Sequence, residues 1–223
     1  LTNSELLSFL DLFGTFVFAI TGAFRALKYE LDILGVLVLS VFTGVGGGIL
    51  RDVILGSTPP AVFTNETYFL LCLIAGLLVF FTARRIARWW SVVKLFDAVG
   101  LGVFAALGAL KGYQHALGPF GVVMMGTMTA VGGGVIRDIL VSEIPAVLSS
   151  DFYATAAALG ALALWGCEVL GWGNEISLVV AAALTLGLRL LALRFRFHLP
   201  RAKPLPAPPG DLARKLRIRW RRR

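Results

Sequence analysis

The chain has 223 residues, a net charge of +8 and a mean hydropathy of +0.82; 57% of its residues are hydrophobic and 15% are charged. These values exclude an ordinary soluble domain, in which about a quarter of residues carry charge. The basicity belongs to one end: from Arg189 onward twelve Lys/Arg face the single Asp211, a net of +11, whereas the first 188 residues hold nine basic and twelve acidic side chains, a net of −3, so the body of the protein is not expected to take a nucleic-acid partner.

Seven apolar runs approach the roughly 20 residues that a helix needs to cross a bilayer core: 6–27, 33–55, 67–83, 96–113, 118–141, 152–171 and 176–195. The first, interrupted by Asp11 and Arg25, is too long and too charged for a signal peptide. Ser40 and Thr43 precede Gly46, Gly47 and Gly48 in the second, which closes on Arg51 and Asp52. Cys72 in the third and Cys167 in the sixth read as small buried hydrophobes rather than halves of a disulfide. After the third run, Arg84, Arg85, Arg88 and Lys94 surround Trp89 and Trp90, the composition of a cytoplasmic membrane edge. The fourth begins beside Asp97 and closes near Lys111, and the fifth carries Thr129, Gly132, Gly133, Gly134, Arg137 and Asp138 in the pattern of the second. Trp172 after the sixth marks the opposite interface. The seventh leads into a Pro- and Arg-rich tail, a flexible segment drawn to anionic lipid or a topology signal. With the basic loop and tail both cytoplasmic, an odd number of spans places the N-terminus outside and the C-terminus inside.

The body repeats itself at an offset of 86 residues: aligning 11–59 with 97–145 gives 18 identities in 49 positions without a gap. Asp11 meets Asp97, Gly14 meets Gly100 and Gly22-Ala23 meets Gly108-Ala109. The match peaks where Gly46-Gly47-Gly48-Ile49-Leu50-Arg51-Asp52 meets Gly132-Gly133-Gly134-Val135-Ile136-Arg137-Asp138. Three spans per repeat is an odd number, so the copies are expected upside down relative to one another, with a functional site near the midplane where they meet. The predicted fold is an all-α polytopic membrane protein of seven transmembrane helices, two inverted three-helix repeats plus a seventh helix. Its parts are the first repeat with its basic loop, 1–90; the second repeat, 91–173; the seventh helix, 174–196; and the polybasic tail, 197–223.

Gly46 falls about 13 residues into its segment, near the bilayer centre at 1.5 Å per residue, and Gly132 is placed likewise. Each glycine costs a helix about 1 kcal/mol relative to alanine. The triplets therefore predict breaks in helices two and five, where freed carbonyls would face an ion; the hydroxyls of Ser40, Thr43 and Thr129 either join them or bond back to their own helix. Close helix packing is the other reading, and the two are compatible. Arg51, Asp52, Arg137 and Asp138 still lie at membrane depth, as pore-lining groups or as structural ion pairs. Consecutive helical side chains diverge by about 100°, so the expected pairs are Arg51 with Asp138 and Arg137 with Asp52. Asp11 and Asp97 either line a vestibule or, the favoured reading, cap their helices near the interface. Arg25 and Lys111, matched near the ends of their segments, either snorkel to headgroups or act in gating or lipid contact.

No catalytic signature is present: G-x-x-x-x-G-K-[ST], H-E-x-x-H and G-x-S-x-G are all missing. Transport is favoured over catalysis, and both a passive cation channel and a secondary transporter of a small zwitterion such as glycine suit inverted repeats with intramembrane Arg-Asp couples.

On the doubled motif Gly46 to Asp52 and Gly132 to Asp138, within two three-helix repeats and a seventh helix, the chain resembles the prokaryotic trimeric intracellular cation channel (TRIC) family over about 1–195. The resemblance implies a homotrimer in the cell membrane with a hydrophilic pore in each protomer. It implies kinked second and fifth helices, and Gly46 to Gly48 and Gly132 to Gly134 as hinge and ion-facing backbone. Potassium would be the main permeant ion, with limited discrimination against sodium and no cofactor. The Lys-Glu-Val pore motif of animal members is missing, and Lys111 is only a loose counterpart of their fourth-helix lysine.

Overall fold

The computed structural model describes residues 3–86, 90–149 and 152–195. Arg88, Trp89 and the tail 197–223 lie outside the described residues, and the side chains of Arg84, Arg85 and Trp90 are likewise outside what is described. Among the described residues all regular structure is helical: α1 (Asn3–Lys28), α2 (Ile33–Ile54), α3 (Ala61–Thr64), α4 (Thr67–Ile86), α5 (Trp90–Gln114), α6 (Pro119–Leu140), α7 (Ala146–Ser149), α8 (Ala154–Val169) and α9 (Asn174–Phe195). Five of these, α1, α2, α5, α6 and α9, are long and apolar enough to cross a membrane. α8, with 16 residues, reaches about 24 Å at 1.5 Å per residue, short of the core thickness of about 30 Å. The chain is thus an all-helical integral membrane protein.

Local chemistry sets the helix starts. Asp32 caps α2 by accepting a 2.8 Å bond from the Gly35 amide, and Pro119 supplies the first residue of α6, where a missing N–H costs nothing. The turns repeat as well as the helices: Glu30 and Ala116, 86 apart, both take φ near 55°, and Gly56 and Ser142, again 86 apart, are both left-handed.

At the centre the two repeats grip each other through matched residues. The Phe18 and Phe104 rings meet at a tilt of 48°, centroids 5.2 Å apart, with Gly100 packed against Phe18 and Gly14 against Phe104. α2 and α6 run antiparallel and cross with Gly47 against the Thr129 carbonyl and Gly133 against the Thr43 carbonyl. α9 packs on α5 and α8 and has no repeat counterpart.

One expectation fails here. α2 and α6 are continuous helices through Gly46, Gly47, Gly48 and Gly132, Gly133, Gly134, not broken ones. The glycines serve the crossing: lacking Cβ atoms, they let two backbones approach at contact distance, and the packing gained offsets their weak helix propensity. Thr43 and Thr129 are fully buried, and their hydroxyls bond back to the carbonyls of Leu39 (2.6 Å) and Met125 (2.7 Å) in their own helices.

Candidate functional site

Four residues beyond its crossing glycine, each helix of the central pair carries a buried arginine. Arg51 and Arg137 are 1% and 3% exposed, so their charges need partners within the protein. The partner is first the adjacent aspartate: Arg51 Nε donates to Asp52 Oδ1 at 2.8 Å and Arg137 Nε to Asp138 Oδ1 at 2.9 Å. The opposite edge of the guanidinium meets the first helix of the same repeat. Arg51 bonds Asp11 at 3.2 and 3.4 Å, and Arg137 Nη1 bonds Asp97 at 3.1 Å; Arg137 Nη1 also donates to the Thr21 hydroxyl of α1, in the other repeat, at 3.0 Å. Asp11 and Asp97 are therefore counter-ions within the clusters rather than interfacial caps.

The expected pairs Arg51 with Asp138 and Arg137 with Asp52 do not form. Because α2 and α6 are antiparallel at their crossing, the two arginines leave it in opposite directions and end about 12 Å apart along the axis. Adjacent Arg and Asp do pair, since the long arginine side chain folds back over the roughly 100° that separates them.

The cross-repeat ion pairs are made with other cations. Arg25 Nη2 lies 3.2 Å from Asp138 Oδ1, and Lys111 Nζ lies 3.5 Å from Asp52 Oδ1. Each aspartate also accepts a backbone N–H from the short helix that follows it, Asp52 from Ala61 at 3.1 Å and Asp138 from Ala146 at 2.9 Å. So each one holds its own arginine, a loop amide and a cation from the other repeat. Arg25 and Lys111 are half-buried partners rather than side chains reaching only for headgroups.

The two clusters differ in their surroundings. Around the first, Tyr68 donates to Asp11 at 3.2 Å and closes a small cavity bounded by Gly44, Gly48 and Val62. The second borders a cavity of about 320 Å³ reached by Arg25, Lys28, Lys94, Asp97, Arg137 and Arg189. Arg25, Lys28 and Tyr29 at the end of α1 also converge on the carboxylate of Glu143. That carboxyl sits below the ordinary glutamate range: partial burial would raise it, but the bonds from Lys28 and Tyr29 and the charge of Arg25 outweigh burial. Ser57 occupies the matched position in the first repeat, so only one end has this clamp.

Tyr68, Glu143, Arg189, Thr21 and Tyr153, whose ring centroid lies 4.8 Å from the Arg189 guanidinium carbon, escaped the sequence reading. Tyr68 and Tyr153 stand 85 rather than 86 apart, beyond the gapless alignment, and a one-residue shift would have matched them. Arg189 carried one signal, a charge inside the seventh apolar run. Among the described residues no three His, Cys, Asp or Glu side chains converge as a metal set. The arrangement places buried, compensated ions at both ends of a tight glycine crossing.

Comparison with known proteins agrees with this geometry. The family model described as Glycine transporter matches twice, at residues 8–84 and 94–168, one match for each repeat. A UPF0126 membrane protein of Deinococcus radiodurans is 45% identical over 166 residues, 74% of this chain and 77% of that one. Among solved structures, a TRIC cation channel described for its conductance is 39% identical with a TM-score of 0.83, covering 90% of this chain and 98% of its own. The TRIC trimeric intracellular cation channel orthologue from Rhodobacter sphaeroides is 37% identical with a TM-score of 0.82, covering 86% and 99%.

Proposed function

The chain belongs to the Glycine transporter family together with the prokaryotic TRIC channels, and we propose that it is a passive channel for monovalent cations, not an enzyme. The likeness to TRIC cation channels over nearly the whole membrane body carries this reading. Potassium is the principal permeant ion, sodium passes less readily, and no cofactor takes part. Each protomer of a homotrimer holds its own pathway, running from one Arg-Asp cluster to the other past the glycine crossing. Opening requires α2 and α6 to bend or part at Gly46–Gly48 and Gly132–Gly134, where glycine's low helix propensity makes bending least costly.

In this reading α4 and the short α8 complete seven spans, the bilayer adjusting to α8 at modest cost. The units are two inverted three-helix repeats, 1–90 and 91–173, then the seventh helix, 174–196, and the tail, 197–223. Orientation follows from charge. Arg25, Lys28, Lys94, Arg189 and Arg194 gather at the end of the second cluster, while Glu5, Glu66, Glu168 and Glu175 gather at the other. The positive-inside rule then puts the second cluster in the cytoplasm of a prokaryotic inner membrane and the N-terminus outside. The tail meets anionic lipid there.

The description of the family supports a second reading, a secondary transporter of a small zwitterion such as glycine. Single-channel recording of purified protein in planar bilayers separates the two. Resolved unitary potassium currents are expected; their absence, together with saturable, ion-coupled glycine uptake in liposomes, overturns the channel.

A further inference from the structure

The crossing of α2 and α6 does not account for the third glycine of each triplet: among the described residues, a β-carbon at Gly48 or Gly134 would meet no backbone of another helix within 4 Å. What differs between them is a tyrosine. A β-carbon at Gly134 would lie 3.3 Å from the Tyr153 hydroxyl oxygen and 3.6 Å from Arg137 Nη2, so that hydroxyl stands where the crossing meets the second cluster. At Gly48 the β-carbon would meet Arg51 Nη2 at 3.7 Å and no tyrosine, because Tyr68, the counterpart of Tyr153, donates its hydroxyl to Asp11 at 3.2 Å instead. Gly48 and Tyr68 border a cavity of about 10 Å³, room for one water-sized particle. Tyr153 is buried near Asp97, the match of Asp11, yet its hydroxyl closes no well-formed hydrogen bond among the described residues. Its ring lies under the Arg189 guanidinium, which α9 supplies from outside the repeats.

Resting on the channel reading above, we infer that Tyr153 plugs the pathway: its hydroxyl, seated on Gly134, fills at the second-cluster end the space that is a cavity at the first. Opening withdraws it to Asp97 as Tyr68 is withdrawn to Asp11. The two repeats thus hold one tyrosine in two positions, within backbones that match. Withdrawal gives a buried hydroxyl a hydrogen bond to a carboxylate, which favours it. The cation stacked on the ring opposes it, and that contact comes from a helix with no repeat partner. The third glycine is then a seat, since any larger residue would put carbon where the hydroxyl rests.

The test is single-channel open probability in planar bilayers, in symmetrical potassium chloride, beside thermal unfolding in detergent. Tyr153→Phe keeps the ring beneath Arg189 and takes the hydroxyl off Gly134; Gly134→Ala crowds the same hydroxyl from the glycine side. Each should raise open probability by about fivefold, the shift that loss of one close contact produces in a two-state equilibrium. The double variant should add nothing further, because both changes remove one contact. Gly48→Ala should leave open probability unchanged, since no tyrosine hydroxyl rests there. Tyr153→Phe should melt no lower than the unaltered protein, as it breaks no well-formed bond. If it does not fold, Gly134→Ala supplies the reading. Unchanged open probability in either folded variant, an equal rise from Gly48→Ala, full additivity in the double variant, or a rise bought by lower melting of Tyr153→Phe overturns the inference while leaving the channel intact. Complete lack of unitary potassium current in the unaltered protein overturns the channel reading itself, and this inference with it.

Discussion

Gly47 on α2 stands so close to Thr129 on α6 that a β-carbon added to it would lie 2.2 Å from the Thr129 carbonyl oxygen; the mirror contact, Gly133 on Thr43, is also 2.2 Å. Both obstacles are helix backbone and cannot swing aside. The third glycine of the first triplet differs: a β-carbon on Gly48 meets nothing nearer than an Arg51 nitrogen at 3.7 Å.

The motif therefore divides on substitution. Gly47→Ala and Gly133→Ala should separate α2 from α6 and cost more than the roughly 1–3 kcal/mol of ordinary overpacking. Gly48→Ala should be neutral or slightly stabilising, since alanine gains about 1 kcal/mol in a helix. Thermal unfolding in detergent checks this, and equal loss from Gly47→Ala and Gly48→Ala would refute the crossing as the reason for the triplet.

The buried arginines give a second prediction. Arg137→Ala removes the cation that bonds both Asp97 and Asp138, and breaking a buried pair costs about 3–5 kcal/mol. Arg194→Ala, at an exposed position of α9, should change stability by less than about 0.5 kcal/mol. Urea or thermal unfolding of the two variants should show that gap; matching small effects would mean that the cluster is solvated.

Much of this was legible in the sequence because the repeat doubles every signal. Asp11 with Asp97, the two triplets and the two Arg-Asp couples all fall at one offset, and the all-helical membrane body follows from hydropathy. What did not follow was partnership. Angular divergence on a helix argued against Arg51 with Asp52, but arginine is long enough to defeat that geometry. Cross-repeat pairing was sound in principle and wrong in detail. The antiparallel crossing carries the arginines apart and brings the first-helix cations, Arg25 and Lys111, to the aspartates instead. The glycine triplets had two compatible readings, and only a neighbouring backbone, invisible to a one-dimensional pattern, selects packing.

Thr43 and Thr129 make a sharp test of that selection. Their hydroxyls are committed to their own helices, so Thr43→Val and Thr129→Val should leave the potassium-to-sodium permeability ratio unchanged. Reversal potentials under bi-ionic conditions report it directly. A shift of more than about twofold would place the hydroxyls on the ion path and contradict the back-bonded geometry.

Glu143 gives the molecule an acid-sensitive link at one end. Arg25, Lys28 and Tyr29 from α1 all reach its carboxylate, and Asp138 shares Arg25 with it. Its folded value is depressed below the unfolded one, near 4.3. The stability it supplies is therefore fully present above the unfolded value and is lost as pH falls through the lower folded value. Because the site is partly exposed, the contribution is about 1 kcal/mol or less. Glu143→Gln should thus melt lower than the unaltered protein at pH 6, and the gap should narrow as the pH falls below the unfolded value of about 4.3 and the unaltered protein also takes up the proton. Subtracting the two melting curves removes the other carboxylates, which titrate alike in both. A gap that widens on acidification, or none at pH 6, would show that the three α1 side chains surround Glu143 without holding it.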